Sequence, residues 1–226
     1  MRSPAGCGLL SFVHGFFARL FGRGRWGRYH YKMSALEIFG VATGAICVLL
    51  AARENILTWP IGIVNNLAFF VMFWRNKLYA DATLQIFYIV ISIYGWWRWS
   101  HSGTGAGQLP IRNTTRRTAL LLAFVTPIAW LGIYQLLRHY TDSTVPVGDS
   151  LATVLSLAAQ YMAGRKLLEN WMVWILVDVI SIALFTYKHL YLTAGLYAAF
   201  IVMCVMGYRA WRQTLRHQQA AAAEVA

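Results

Sequence analysis

Asn65, Asn66 and Asp178 are polar side chains set inside long apolar runs, and any chemistry in this chain has to be built around them. At that depth a carboxamide or a carboxyl is expensive unless it faces neighbouring helices or a water-filled cavity. Trp59, Gly62 and Asn66 stand at i, i+3 and i+7, so they share one helix face. Trp171, Trp174 and Asp178 repeat that spacing. A third run carries Asp81, Gln85 and Tyr88 at i, i+4 and i+7. Asp81 is close to its helix start, where a helix-terminal contact suits it. Gln85 and Tyr88 can donate and accept within a cavity, as can Tyr197, which occupies the position equivalent to Gln85 in the second half of the chain. Amides and hydroxyls fit a ligand rich in hydroxyls or carboxamides. A tryptophan face beside a carboxylate fits a cationic aromatic ring.

Each of these residues also has a plainer reading. Asn65 or Asn66 can serve as an interhelical hydrogen bond, and Asp178 needs either a partner or a proton. Trp59 and Trp171 stand near helix ends, as do Trp96, Trp97, Trp99 and Trp211, and the plain reading of such residues is an interfacial aromatic belt. Trp174 lies deeper and is the better stacking candidate. Gln160, late in its run, is a weaker site candidate.

Several classes of chemistry are excluded. The chain has no Walker A glycine loop, no Ser/His/Asp pattern and no HExxH, so it does not read as an enzyme. Cys7, Cys47 and Cys204 have neither metal-ligand spacing nor a disulfide framework, and no metal or cofactor is expected. The net charge of +12 would suggest nucleic acid in a soluble protein. Here Lys and Arg flank apolar runs, as they do where loops meet lipid headgroups, so nucleic acid is not an expected partner.

The elements that must position these residues are transmembrane helices. The chain is 58% hydrophobic and only 12% charged, against about a quarter charged in a soluble domain. Seven spans are expected, at 33–52, 57–74, 78–97, 118–137, 150–162, 171–187 and 190–207. Ser34 and Glu37 have capping-box spacing at the first start, Pro60 fits the first turn of the second span, and Pro127 is expected to kink the fourth.

The second half repeats the first. Trp59, Leu78, Tyr79, Gly95 and Trp99 recur 112 residues later as Trp171, Leu190, Tyr191, Gly207 and Trp211. Asn66 is matched by Asp178 and Glu37 by Asp149 at the same offset. The expected fold is therefore an all-α polytopic membrane protein. Two parallel three-helix bundles are joined by a linker transmembrane helix, which restores the orientation of the second bundle (3+1+3). The expected divisions are a basic N-terminal segment at 1–32, a first bundle at 33–99, a linker with its helix at 100–146, a second bundle at 147–211 and a mobile tail at 212–226. The short apolar stretch at 9–21 reads as an interfacial helix, with a short extra span as the alternative. The Lys and Arg counts of alternate loops nearly tie, so orientation stays open.

The run WPIGIVNNL from Trp59, the stretch from Tyr79 through Asp81 and Gln85 to Trp99, and the run WMVWILVD ending at Asp178 together resemble the PnuC family of bacterial vitamin B3 transporters. The resemblance covers roughly 33–212. It implies uptake of nicotinamide riboside by facilitated diffusion with alternating access, in the bacterial inner membrane. It also implies a fold shared with the SWEET sugar transporters, a homotrimer surrounded by lipid, and a separate intracellular kinase that phosphorylates the riboside. On this reading Trp174 stacks on the nicotinamide ring. Asn65, Asn66, Gln85 and Asp178 hydrogen-bond the ribose and carboxamide, and Tyr88, Tyr197 and Trp59 complete the cavity. Thiamine, also a cationic heteroaromatic, fits the same residue types. Proton coupling through Asp178 stays open, and a non-transporting scaffold or receptor is the alternative from another class.

Overall fold

The structure is a computed structural model of the chain and describes residues 35–75, 79–101, 109–140, 145–189 and 191–224. The stretch at 9–21 lies outside them. Among the described residues there are seven helices and no strand. They are α1 (Ala35–Ala52), α2 (Thr58–Arg75), α3 (Tyr79–His101), α4 (Arg116–Tyr140), α5 (Pro146–Gly164), α6 (Asn170–Tyr187) and α7 (Tyr191–Glu224).

Local sequence accounts for most of the boundaries. Pro146 opens α5, where a missing N–H costs nothing. Pro60 sits in the first turn of α2 for the same reason. Pro127 lies within α4, which continues through it as one helix. The stretch expected to form a mobile tail continues α7 as helix to Glu224. Ala220, Ala221, Ala222 and Ala223 are the strongest helix formers available. Arg116–Tyr140, Asn170–Tyr187 and Ala194–Glu224 are long and apolar enough to cross a membrane.

Helices α1, α2 and α3 pack in chain order, as do α5, α6 and α7. The two groups meet twice, through α3 against α5 and through α1 against α7, while α4 packs on α5. Most of the α4 surface faces outward, with Leu120, Phe124 and Ile128 exposed. One buried cluster joins Phe69, Tyr88, Val177, Phe185, Tyr197 and Phe200. A second joins Trp59, Trp99, Trp171, Cys204 and Trp211 with Ile111 of the segment before α4.

The turns leading into α2 and α6 are built alike. Glu54 and Lys166 stand at the same place in them, each with left-handed backbone (φ 55° and 50°), a conformation uncommon outside glycine. The second turn is also strapped by the segment before α4. The Arg112 N–H donates to the Lys166 carbonyl at 3.0 Å, and the Leu168 N–H donates to the Arg112 carbonyl at 2.9 Å. The Thr114 N–H donates to the Glu169 carboxylate at 2.8 Å, and the Thr114 hydroxyl donates to the same oxygen.

Two glycines let the helices close up. A Cβ on Gly95 would run into the Trp59 ring, and one on Gly207 would run into the Trp171 ring. Each indole therefore lies directly on the backbone of the third helix of its own half. Gly132 of α4 has open space around it. Gly95→Ala and Gly207→Ala are each expected to lower stability by about 1–3 kcal/mol through overpacking. Gly132→Ala is expected to raise it by up to about 1 kcal/mol through helix propensity. Thermal unfolding of the three variants in detergent checks this; a Gly95→Ala protein as stable as the parent would contradict it.

Candidate functional site

A cavity of about 170 Å³ opens between the two groups of helices. That is roughly ten times the room one water molecule requires. Its walls come from α1, α2, α3, α5, α6 and α7, and α4 contributes nothing. One end is floored by tryptophan. The Trp99 indole N–H donates to the Ala163 carbonyl at 3.2 Å, and the Trp211 indole N–H donates to the Ala51 carbonyl at 2.9 Å. These two bonds are the same bond made twice, because Trp99 and Trp211, and Ala51 and Ala163, are equivalent under the 112-residue offset. Each runs from one half of the chain to the other. Trp59 meets Trp99 edge to face at 5.4 Å, and Trp171 meets Trp211 in the same way at 5.5 Å.

Of the residues singled out in the sequence, Trp59, Asn65, Asn66, Tyr88, Trp174, Asp178 and Tyr197 all line this cavity. Gln85 is brought close but does not join them. It is completely buried in α3, and neither of its amide atoms has a hydrogen-bond partner among the described residues. Asn65 turns out to have a structural duty. Its amide nitrogen donates to the Gly40 carbonyl at 2.9 Å and to the Thr43 hydroxyl, which ties α2 to α1. Asn66, one residue on, is only half-buried.

Asp178 is 4% exposed, and its carboxyl accepts a long contact from the Cys204 thiol at 3.7 Å. The Tyr197 ring stacks on Phe185 at 5.3 Å and meets Phe200 edge to face. Trp59 and Trp171 are both buried, and neither indole N–H has a hydrogen-bond partner among the described residues. Buried indole N–H groups usually find an acceptor, and both of these nitrogens are also sealed from solvent.

Some lining residues were missed. Trp99 and Trp211 were assigned to an aromatic belt, yet they are 8% and 0% exposed and form the cavity floor. Trp96 and Trp97 do face outward. The distinguishing signal was in the sequence: Trp99 recurs at the repeat offset as Trp211, whereas Trp96 and Trp97 recur as Tyr208 and Arg209. Asn170 also lines the cavity, as does Gln160, whose amide donates to the Ser92 hydroxyl at 3.4 Å. Among the described residues that line the cavity, Asp178 is the one carboxylate, and there is no Lys or Arg.

A central cavity between groups of apolar helices, lined by a few polar groups and much aromatic surface, is the arrangement of a multi-pass membrane transporter. The chain belongs to the family described as nicotinamide mononucleotide transporter, which it matches over residues 34–213; it is a transporter and not an enzyme. The nicotinamide riboside transporter PnuC of Escherichia coli (strain K12) is 28% identical over 213 residues, covering 83% of this chain and 89% of that protein. The riboflavin/roseoflavin transporter RibM of Streptomyces davaonensis is 26% identical over 181 residues, covering 77% and 83%. The crystal structure of the vitamin B3 transporter PnuC shares the fold, with a TM-score of 0.64 at 23% identity over 92% of this chain and 90% of that one.

The two asparagines separate structure from site. Asn65→Ala is expected to cost about 1 kcal/mol of stability, the usual size of an interhelical hydrogen bond in a membrane protein. Asn66→Ala is expected to stay within about 0.5 kcal/mol of the parent. Unfolding in detergent reads both, and equal losses would contradict the division.

Proposed function

We propose that this chain carries nicotinamide riboside across the bacterial cytoplasmic membrane by facilitated diffusion with alternating access. The observation that carries this reading is the charge of the cavity lining among the described residues: one acidic side chain, Asp178, and no basic one. A pyridinium finds a counter-charge there. The phosphate of a mononucleotide finds no Lys or Arg, the residues that ordinarily bind it. The riboside is thus favoured over the mononucleotide of the family description, in line with the names of several relatives. The ring of riboflavin carries no positive charge, so Asp178 also argues against the cargo for which RibM is named.

In this reading Trp174 flanks the nicotinamide ring. Asn66 and Asp178 hydrogen-bond the ribose and carboxamide, Asn65 contributes its carbonyl oxygen, and Tyr88, Tyr197 and Trp59 complete the wall. Gln85 supports that wall from behind. The repeat makes residues 33–99 and 147–211 two parallel three-helix bundles and 100–146 their linker, a 3+1+3 arrangement like that of the SWEET sugar transporters. Support comes from the packing order of the helices and from the duplicated tryptophan bonds. A homotrimer in lipid and a separate intracellular riboside kinase, which keeps uptake directional, complete the reading.

Titration of the purified protein in detergent, read by tryptophan fluorescence, tests it. Nicotinamide riboside is expected to saturate, and its mononucleotide to bind at least about tenfold more weakly, a difference of about 1.4 kcal/mol. Asp178→Asn and Trp174→Ala are each expected to weaken riboside binding by a similar factor. Equal binding of riboside and mononucleotide, or an Asp178→Asn protein that binds like the parent, would sink this reading. Thiamine binding in place of the riboside would keep the site and replace the cargo.

A further inference from the structure

Glu54 and Lys166 form an ion pair at 2.8 Å between the two halves of the chain, beside the tryptophan floor of the cavity. They are separated by 112 residues, the repeat offset, so each meets its own equivalent from the other half. Residues so related can touch only at or beside the axis that relates the halves. Identical charges at such a place would repel; here one position is acidic and the other basic. The pair is well shielded, with side-chain exposures of 2% for Lys166 and 16% for Glu54, and the Lys166 ammonium also lies 4.5 Å from the centre of the Trp99 ring.

We infer that the Glu54–Lys166 pair is the latch of a gate that closes the tryptophan-floored end of the cavity, and that it must break for that end to open. This rests on the transporter reading above. Alternating access by rocking one repeat against the other separates groups that bridge the two halves, and this pair bridges them. The two indole bonds, Trp99 to Ala163 and Trp211 to Ala51, lie beside it and bridge the same seam. The other ion pair among the described residues, Lys188–Asp149 at 3.3 Å, joins α5 to the end of α6 inside one half. Rocking leaves it intact. The structure is therefore closed at the Glu54–Lys166 end.

The two sides of the latch differ in how they are held. Lys166 sits in the turn strapped by Arg112, and its neighbour Glu169 holds Thr114. Among the described residues the turn bearing Glu54 has no such strap, and it is closed by local bonds such as the Leu57 N–H to the Asn55 side chain at 2.9 Å. Lys166 is thus the fixed part and Glu54 the part that swings.

Two experiments on the full-length protein test the latch. In the first, Ala51→Cys, on the cavity wall behind the pair, is labelled with a membrane-impermeant thiol reagent in liposomes, with the Ala51 parent as background. Glu54→Lys, which sets two cations together, is expected to raise the labelling rate roughly tenfold by shifting the population toward the open form. The exchanged pair, Glu54→Lys with Lys166→Glu, is expected to return it toward the Ala51→Cys level. Unchanged labelling in Glu54→Lys would overturn the inference. In the second, Glu54→Cys with Lys166→Cys is cross-linked by a short bifunctional thiol reagent with a cleavable spacer. Radiolabelled nicotinamide riboside flux is expected to fall to background and recover on cleavage, while adding the cross-linker to either single-cysteine variant is expected to leave that variant's own flux as it was before the addition. Full flux through protein shown by mass spectrometry to be cross-linked would overturn the latch. If the parent moves no riboside, the cargo assignment fails, and the labelling arm still decides the latch because it needs no substrate.

Discussion

Trp59 lying against Gly95, and Trp171 against Gly207, are the contacts on which the rest of the arrangement depends. Lipid is as apolar as a leucine side chain, so helices in a bilayer gain little from hiding apolar surface against one another. Close packing and satisfied hydrogen bonds must hold them instead. A glycine on the third helix of each half lets a large flat ring lie on bare backbone. That ring then presents its edge or face to a second tryptophan, Trp99 or Trp211. The second tryptophan carries the bond that crosses to the other half. From glycine to ring to ring to carbonyl, one chain of contacts runs from the inside of each half to its partner.

The same placement leaves two polar groups unsatisfied. Rings held flat against glycine have no freedom to turn their N–H groups toward a protein acceptor. Both the Trp59 and Trp171 donors are buried and without a partner among the described residues. A buried donor without a partner costs about 1–3 kcal/mol, which the close packing of ring on glycine has to offset. The Gln85 amide is likewise buried without a partner among the described residues.

The architecture was legible because a membrane imposes a strong rule on sequence. Only apolar runs of sufficient length become spanning helices, and polar residues inside them stand out. That is why Asn66, Trp174 and Asp178, which line the cavity, could be singled out as candidates before any coordinates. The departures have physical causes as well. Trp99 and Trp211 look like belt residues because tryptophan at a helix end usually is one. Burial against the other half of the chain cannot be read from position along a single helix, although their shared repeat offset pointed to it. Asn65 and Asn66 are neighbours of identical type, and only the rotation of α2 relative to α1 decides which one ties helices together. Gln85 has the right spacing, but the cavity wall curves past it at Tyr88. The ion pair of Glu54 and Lys166 was invisible for another reason: two turns of opposite charge suggest contact only once their axis is known.

The repeat offset also separates what holds the cavity from what it recognises. At the closed end the equivalent lining residues are identical: Ala51 and Ala163, Trp59 and Trp171, Trp99 and Trp211. Deeper in, they differ at each pair that lines the wall on both sides. Thr58 faces Asn170 in the comparison, Gly62 faces Trp174, Asn65 faces Val177, Asn66 faces Asp178, and Tyr88 faces Phe200. A duplicated bundle begins with a symmetric cavity, and a symmetric cavity presents the same groups from both sides. Such a wall suits a symmetric ligand. A molecule with a charged ring at one end and a hydroxyl-bearing sugar at the other requires different groups on the two sides. Trp99 and Trp211 are held to their type by a side-chain bond that each half repeats, and Trp59 and Trp171 by their fit on glycine, whereas Ala51 and Ala163 contribute only main-chain carbonyls. The wall residues are free of that constraint, and the carboxyl and the deep tryptophan both fall on α6, in the second half. Gly62 and Asn66 share a face of α2, and Trp174 and Asp178 share one of α6, so the two sides of the cavity offer different chemistry.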